Sequence, residues 1–233
     1  MKLAVGCPVR DRNWILPKWK EHVENALPEG WDLIFIFAVS KNDYETIELL
    51  DSWDNSNVVL IDEEYSSYTR RWSSERYHEM VFLRNSLLKA VRWHKPDFFL
   101  SLDSDILLHK DAISNMYETI SSGDSNLVAV GGLTWLDPTD VRITNAAMLK
   151  SDLNGFRRVP DRGQFFVDVI MAIKLMSPLA YNVDYKHDIQ GEDIGWSRAV
   201  KELGYKLKFD SRLGNRHVWN QEWIDVEDKR CSI

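Results

Sequence analysis

Two aspartates one residue apart, Asp103 and Asp105, close the apolar run Phe98-Phe99-Leu100-Ser101-Leu102. At that separation two carboxylates repel each other unless a cation lies between them. A hard divalent ion meets the need, because it takes oxygen ligands and keeps positions open for substrate phosphates. The plain alternative is a strand-end cap, since aspartate is common in turns. A second acidic pair stands in Gln190-Gly191-Glu192-Asp193-Ile194-Gly195-Trp196, where a helix begins. The positive end of a helix favours acids by itself. A glycine ahead of a Glu-Asp pair frees the backbone, however, and a carboxylate held there can act as a general base on a hydroxyl. The third candidate is His217, in Gly214-Asn215-Arg216-His217-Val218-Trp219. His109 and His187 are read as structural.

These residues act together only if the chain gathers its strand ends. Lys2–Cys7 reads as a buried first strand, followed by the polar loop Pro8-Val9-Arg10-Asp11-Arg12-Asn13. Trp14–Leu27 has helical spacing, and Pro28-Glu29-Gly30 ends it. Trp31–Val39 holds a second strand, Tyr44–Leu50 a short helix and Val58–Ile61 a third strand. A long helix spans Glu75–His94, with Met80, Leu83, Leu87, Leu88 and Val91 recurring along one face. Arg84 falls on that same face, so it must find a partner or reach out to water. Phe98–Leu102 is the fourth strand, His109–Ser122 a helix and Leu127–Gly132 another strand. Beyond Leu133 the pattern loosens: Thr134–Gly163 is loop-rich and Gln164–Ile173 strand-like or mixed. Gly191–Leu203 is a helix and Tyr205–Phe209 a final strand. Strands alternating with helices imply an α/β layered sheet with mainly parallel strands. In such sheets ligands gather beyond the carboxyl ends of the strands, where the loops after Cys7 and Leu102 fall.

At 233 residues the chain suits a single domain with a full core. Its net charge of -7 argues against a surface built throughout to grip nucleic acid. Ser66–Lys95 is a local exception, with Arg70, Arg71, Arg76, Arg84, Lys89, Arg92 and Lys95 against only Glu75 and Glu79. Such a stretch is either a solvated helix face or a site for an anion such as a diphosphate. Cys7 and Cys231 form neither a disulfide framework nor a ligand cluster. No apolar run approaches the ~20 residues of a membrane span. The opening run Met1–Cys7 is too short for a signal peptide, so a cytoplasmic protein is expected. Most of the ten tryptophans read as packing residues.

With these motifs in order, the chain resembles the nucleotide-diphospho-sugar transferases of the GT-A fold, family 2-like and containing Asp-x-Asp. The match runs through Ala4–Arg12, Leu83-Arg84-Asn85 to Asp105, and Gly191–His217, so it spans most of the chain. The resemblance implies a Rossmann-like three-layer sandwich with a mainly parallel central sheet. It implies one domain over 1–233, with 1–133 the nucleotide-sugar half and 134–233 the acceptor half. It also implies that Pro8, Arg10 and Asp11 hold the nucleoside, and that Arg84 reaches the nucleotide or its phosphates. Asp103, Ser104 and Asp105 would sit at the donor. Asp105 and His217, with Asp103 directly or through water, would hold manganese or magnesium. Asp193 would be the base of an inverting member and Glu192 would orient the acceptor. The donor would be a UDP- or GDP-sugar, and the acceptor a glycan. Inverting and retaining outcomes both remain open, as does the oligomeric state.

Three further readings are carried. The stretch Tyr68-Thr69-Arg70-Arg71-Trp72 suits backbone contact and base stacking, which raises a hydroxymethylated base in DNA as an acceptor. A haloacid-dehalogenase-like phosphatase also uses Asp-x-Asp after a strand, but three strands precede this one and Ile106 stands where glycine is usual. A sugar- or nucleotide-binding module with a dead site is the third.

Overall fold

The run at 33–39 carries apolar side chains toward both faces, as a strand covered on either side by helices must. In the computed structural model it forms such a strand. The structure describes residues 1–62, 73–137, 140, 143–149, 156–157, 163–226 and 231. The expectations placed on Tyr68, Arg70, Arg71 and Trp72 therefore lie outside the described residues.

The first half runs β1 (Lys2–Val9), α1 (Leu16–Ala26), β2 (Asp32–Ser40), α2 (Tyr44–Asp51), β3 (Ser56–Ile61), α3 (Ser74–His94), β4 (Phe98–Leu102), β5 (Ile106–Leu107), α4 (Ala112–Ile120) and β6 (Leu127–Leu133). The second half runs β7 (Ala146–Leu149), β8 (Phe156–Arg157), β9 (Gln164–Val167), β10 (Val169–Ile170), β11 (Ile173–Met176), α5 (Pro178–Tyr181), α6 (Glu192–Glu202), β12 (Lys206–Gly214) and β13 (Arg216–His217). A 3-10 turn follows at Gln221–Trp223.

Eight strands make the central sheet, in the order β3-β2-β1-β4-β11-β6-β12-β9. β11 is antiparallel to both β4 and β6, and β9 is antiparallel to β12; every other pairing is parallel. The expected α/β sandwich with a mainly parallel sheet is the observed fold. One layer of apolar packing joins Leu16, Trp19, Val23, Leu50, Ile113 and Met116 to one sheet face. The other joins Met80, Leu83, Leu87, Ala180, Trp196 and Val200 to the opposite face. Burying each large apolar side chain contributes about 1.5–3 kcal/mol. A single sheet runs through both halves of the chain, because β11 and β12 flank β6. No helix among the described residues is long and apolar enough to cross a membrane.

Sequence reading placed Pro8 in a loop, but β1 continues through it, opposite Ala38 of β2. Pairing with β4 stops at Gly6. Beyond that point β1 behaves as an edge strand, where a residue lacking an N–H is tolerated. The segment expected to be strand-like or mixed resolves into β9, β10 and the start of β11. α3 begins where Ser73 caps Arg76 N–H at 3.3 Å and ends at Lys95, left-handed at φ 46°, ahead of Pro96.

α6 needs glycine at two places. Gly191 precedes its first turn at φ 130°, a conformation that side chains rarely adopt. Gly195 packs so closely that an added Cβ would sit 2.0 Å from the Lys186 carbonyl oxygen. Because the obstacle is backbone, Gly195→Ala is expected to destabilise the fold by at least about 1–3 kcal/mol. Urea denaturation checks this; an unchanged midpoint would mean that α6 docks differently.

Candidate active site

The carboxyl ends of β1 and β4 lie side by side, and the candidate residues leave them there. β5 and β13 pair His217 with Ile106, and Val218 N–H donates to the Asp105 carbonyl at 2.8 Å. That small ladder brings His217 Nε2 to 3.7 Å from Asp105 Oδ1. His217 Nδ1 lies 2.9 Å from the Trp135 carbonyl. A carbonyl only accepts, so Nδ1 carries the hydrogen and Nε2 is the nitrogen turned toward Asp105. The Trp219 ring lies against the imidazole, centroids 3.7 Å apart and planes tilted by 33°, and restrains it. Arg12 donates to Asp105 Oδ2 at 3.2 Å. Burial works against the Asp105 charge, yet His217 and Arg12 hold its carboxyl below the ordinary aspartate range.

Asp103 faces a different partner. Arg84, 3% exposed, donates to Asp103 Oδ1 at 2.8 Å and to Ser101 Oγ at 3.2 Å. This is the partner that the charge on the apolar face of α3 required. The Asp103 backbone is pinned twice, by Trp19 Nε1–H on its carbonyl at 3.1 Å and by its N–H on the Ala172 carbonyl at 2.9 Å. Ser104 is buried between the two aspartates. Among the described residues no three His, Cys, Asp or Glu side chains form a metal-holding group. The candidate ligands instead divide, with Asp105 facing His217 and Asp103 facing Arg84.

Glu192 and Asp193 open α6 on the sheet face that carries Arg84. Lys174, fully buried in β11, is ion-paired through Nζ with Asp193 Oδ1. Burial opposes the Asp193 charge, but Lys174 and Arg84, together with the Ala172 N–H, hold its carboxyl below the usual range. Ala172 thus serves both acids, and it does so at φ 58° in a turn where Ile173 N–H reaches the Met171 carbonyl at 2.5 Å. Strained backbone of this kind collects at functional sites, where neighbours over-determine it. Glu192 is 5% exposed, with Oε1 3.8 Å from Arg84 Nε. Burial, then the Asp193 charge, push its carboxyl up to about 7.

Of the residues expected at the nucleoside, Asp11 is exposed and left-handed at φ 53°, with its N–H on Asp43 Oδ2 at 3.1 Å. Arg10 lies 3.6 Å from the Asp11 carboxylate. Pro8 sits within β1, below this loop. Sequence reasoning missed Lys174, Tyr185 and the tie between Arg12 and Asp105. The available signal for Lys174 was a lone lysine in the apolar run Ala172-Ile173-Lys174-Leu175-Met176.

No protein-family model and no curated protein matches the chain. Among solved structures the chain is similar to a mannosyltransferase from Pyrobaculum calidifontis, solved in complex with GDP-Man and Mn2+. The TM-score is 0.58 at 12% sequence identity, over 90% of this chain. The chain spans 56% of that structure's length. At that identity the likeness establishes a shared fold.

The raised Glu192 carboxyl has a stability consequence. The folded chain keeps a proton that the unfolded chain releases above its ordinary value of 4.5. Stability from this group is therefore full below 4.5 and is lost as pH rises through about 7. Glu192→Gln removes that dependence, so wild-type Tm minus variant Tm should fall between about pH 5 and pH 7.5. A constant difference across that range would show that Glu192 does not titrate there.

Proposed function

We propose that this protein is a metal-dependent glycosyltransferase of the GT-A type, moving a sugar from a nucleotide-diphosphate donor to an acceptor hydroxyl. The observation that carries the reading is the Asp105–His217 pair at the strand ends, with Nε2 turned to the carboxylate and Arg12 alongside. One carboxylate and one imidazole that would give up its Nε2 proton to the ion suit manganese or magnesium, provided that phosphate oxygens and water complete the shell. The Trp135 carbonyl on Nδ1 is the outer contact that fixes a ligating imidazole. The fold shared with a mannosyltransferase that binds GDP-Man and Mn2+ supports the same reading.

When bound, the ion supplies the positive charge that offsets the diphosphate leaving group. The remaining steps belong to the protein. Arg12 sets a guanidinium beside Asp105, at the place where that negative charge builds up. Burial raises the Asp103 carboxyl, and Arg84 works against that rise while aiming it as an acceptor for a ribose hydroxyl. Arg10 and Asp11 flank the nucleoside from the β1 loop. Asp193 takes the proton of the acceptor hydroxyl as its oxygen attacks the anomeric carbon. Glu192, protonated below about 7, donates a hydrogen bond that orients the acceptor. In this reading residues 1–133 supply most of the donor side and 134–233 the acceptor side, with His217 crossing back to the donor.

Calorimetry with nucleotide diphosphates and nucleotide sugars, with and without Mn2+, tests the proposal. Metal-dependent binding to the wild type and its loss in Asp105→Asn are expected; a folded wild type that binds none of them refutes the reading. Asp193→Asn should keep donor binding yet lose on the order of 10²-fold or more in transfer rate. Normal transfer by that variant would assign the base elsewhere.

A further inference from the structure

Lys174 is the most deeply placed ionisable group of this site, and the mechanism above gives it no task. It lies in β11 opposite Ser101 of β4 and Gly131 of β6, at the middle of the sheet, with no exposed surface. An isolated ammonium there would lose its proton before it would stay charged. Its surroundings keep it charged. Nζ pairs with Asp193 and lies 5.5 Å from the Tyr185 ring centre and 5.7 Å from that of Trp196. Burial works against the charge, but Asp193 and Tyr185 together outweigh it, so the ammonium holds its proton more tightly than a lysine in water.

We infer that Lys174 is a positioning residue for the transfer step, holding the Asp193 carboxylate in a single place and charge state. The inference rests on the glycosyltransferase reading and deepens it. A flexible aspartate at the start of a helix samples several rotamers and titrates with its neighbours. Asp193 is confined because its partner is rooted in a strand bonded on both sides, so the ammonium cannot follow a moving carboxylate. The groups that bear on Asp193 are Arg84 from α3, Asp103 from the end of β4, Lys174 from β11, Tyr185 from the segment before α6, and Glu192 beside it. Arg84 is committed to Asp103 at 2.8 Å and stands 3.8 Å from Glu192, which leaves Lys174 as the cation dedicated to Asp193. The pair also explains the left-handed Ala172 turn, which starts β11 and donates its own N–H to the same carboxylate.

The test uses Lys174→Gln, which keeps a hydrogen-bond donor without charge, and Lys174→Met, which removes both. Expected for each are nucleotide-sugar binding within about threefold of wild type and kcat lower by about 10²-fold. The acidic limb of the kcat profile should move up by at least about one pH unit, because Asp193 loses the cation that kept it ionised. Loss of kcat by one factor at every pH, with the limb unmoved, would reduce Lys174 to a structural group and overturn the proposal. Unchanged kcat would do the same. Should neither variant fold, 13C-aspartate NMR of the wild type decides, with Asp193→Asn giving the assignment. An Asp193 signal that stays ionised from about pH 4 upward supports the proposal, and titration within or above the ordinary carboxylate range overturns it. Failure of the wild type to bind any nucleotide sugar would remove the transferase reading alone, and the same NMR titration would still decide the Lys174–Asp193 assignment.

Discussion

A buried cation must be matched by an anion, and this site is organised around two such matches. Arg84 enters from the apolar face of α3 and Lys174 from the interior of the sheet; neither reaches water. Asp103 and Asp193 answer them from the end of β4 and the start of α6. Glu192 makes a third carboxylate against two cations, and its carboxyl is driven toward the neutral form. With that proton in place the charges balance. The cluster thus fixes the relation of α3, β4, β11 and α6 more tightly than apolar contact alone, because apolar contact has no preferred direction.

Stability does not explain the arrangement. Replacing a buried ion pair by apolar groups of similar volume is often neutral or stabilising, whereas removing one partner costs about 3–5 kcal/mol. Against a typical folding free energy of about 5–15 kcal/mol, that is a heavy liability for one domain to carry. The cluster lies at the carboxyl ends of the parallel strands, where α/β sheets bind ligands. A fixed field there needs no rearrangement when charge develops during a reaction. The carboxylates of the Asp-x-Asp turn are the part of the site open to exchange: the Asp103 side chain keeps 34% of its exposure and that of Asp105, held by Arg12 and His217, 23%.

Much of this was legible in the sequence, for physical reasons that can be named. Apolar runs ended by acids gave the strand ends, and the helical face of 80–91 exposed Arg84 as a charge in need of a partner. The order Asp-x-Asp, Glu-Asp, His identified residues that the fold does collect on one side of the sheet. Pairings set by topology stayed hidden. Arg12 reaches Asp105 across 93 residues of chain, and His217 meets the Trp135 carbonyl across 82. Lys174 looked like part of a loose apolar stretch because nothing local says that β11 enters the sheet between two earlier strands. Pro8 was assigned to the polar loop that follows Lys2–Cys7, and the early end of β4 is what lets β1 run on through it.

The insertion of β11 also bears on how the chain is assembled. β4 and β6 are both made before β11, yet they are not neighbours; each must wait for 173–176 to fill the place between them. Until then each presents unpaired backbone groups, which invite contacts with other chains. Without 173–176, the strands of the first 133 residues leave β6 with no partner and a gap beside β4. The strand that closes the gap is the one carrying Lys174, so joining the two parts of the sheet and placing the buried cation of the site are the same event. Pairings this distant in sequence are slow to form. A chain that has made β6 but not yet β11 therefore carries open strand edges at the place where its buried lysine will later sit.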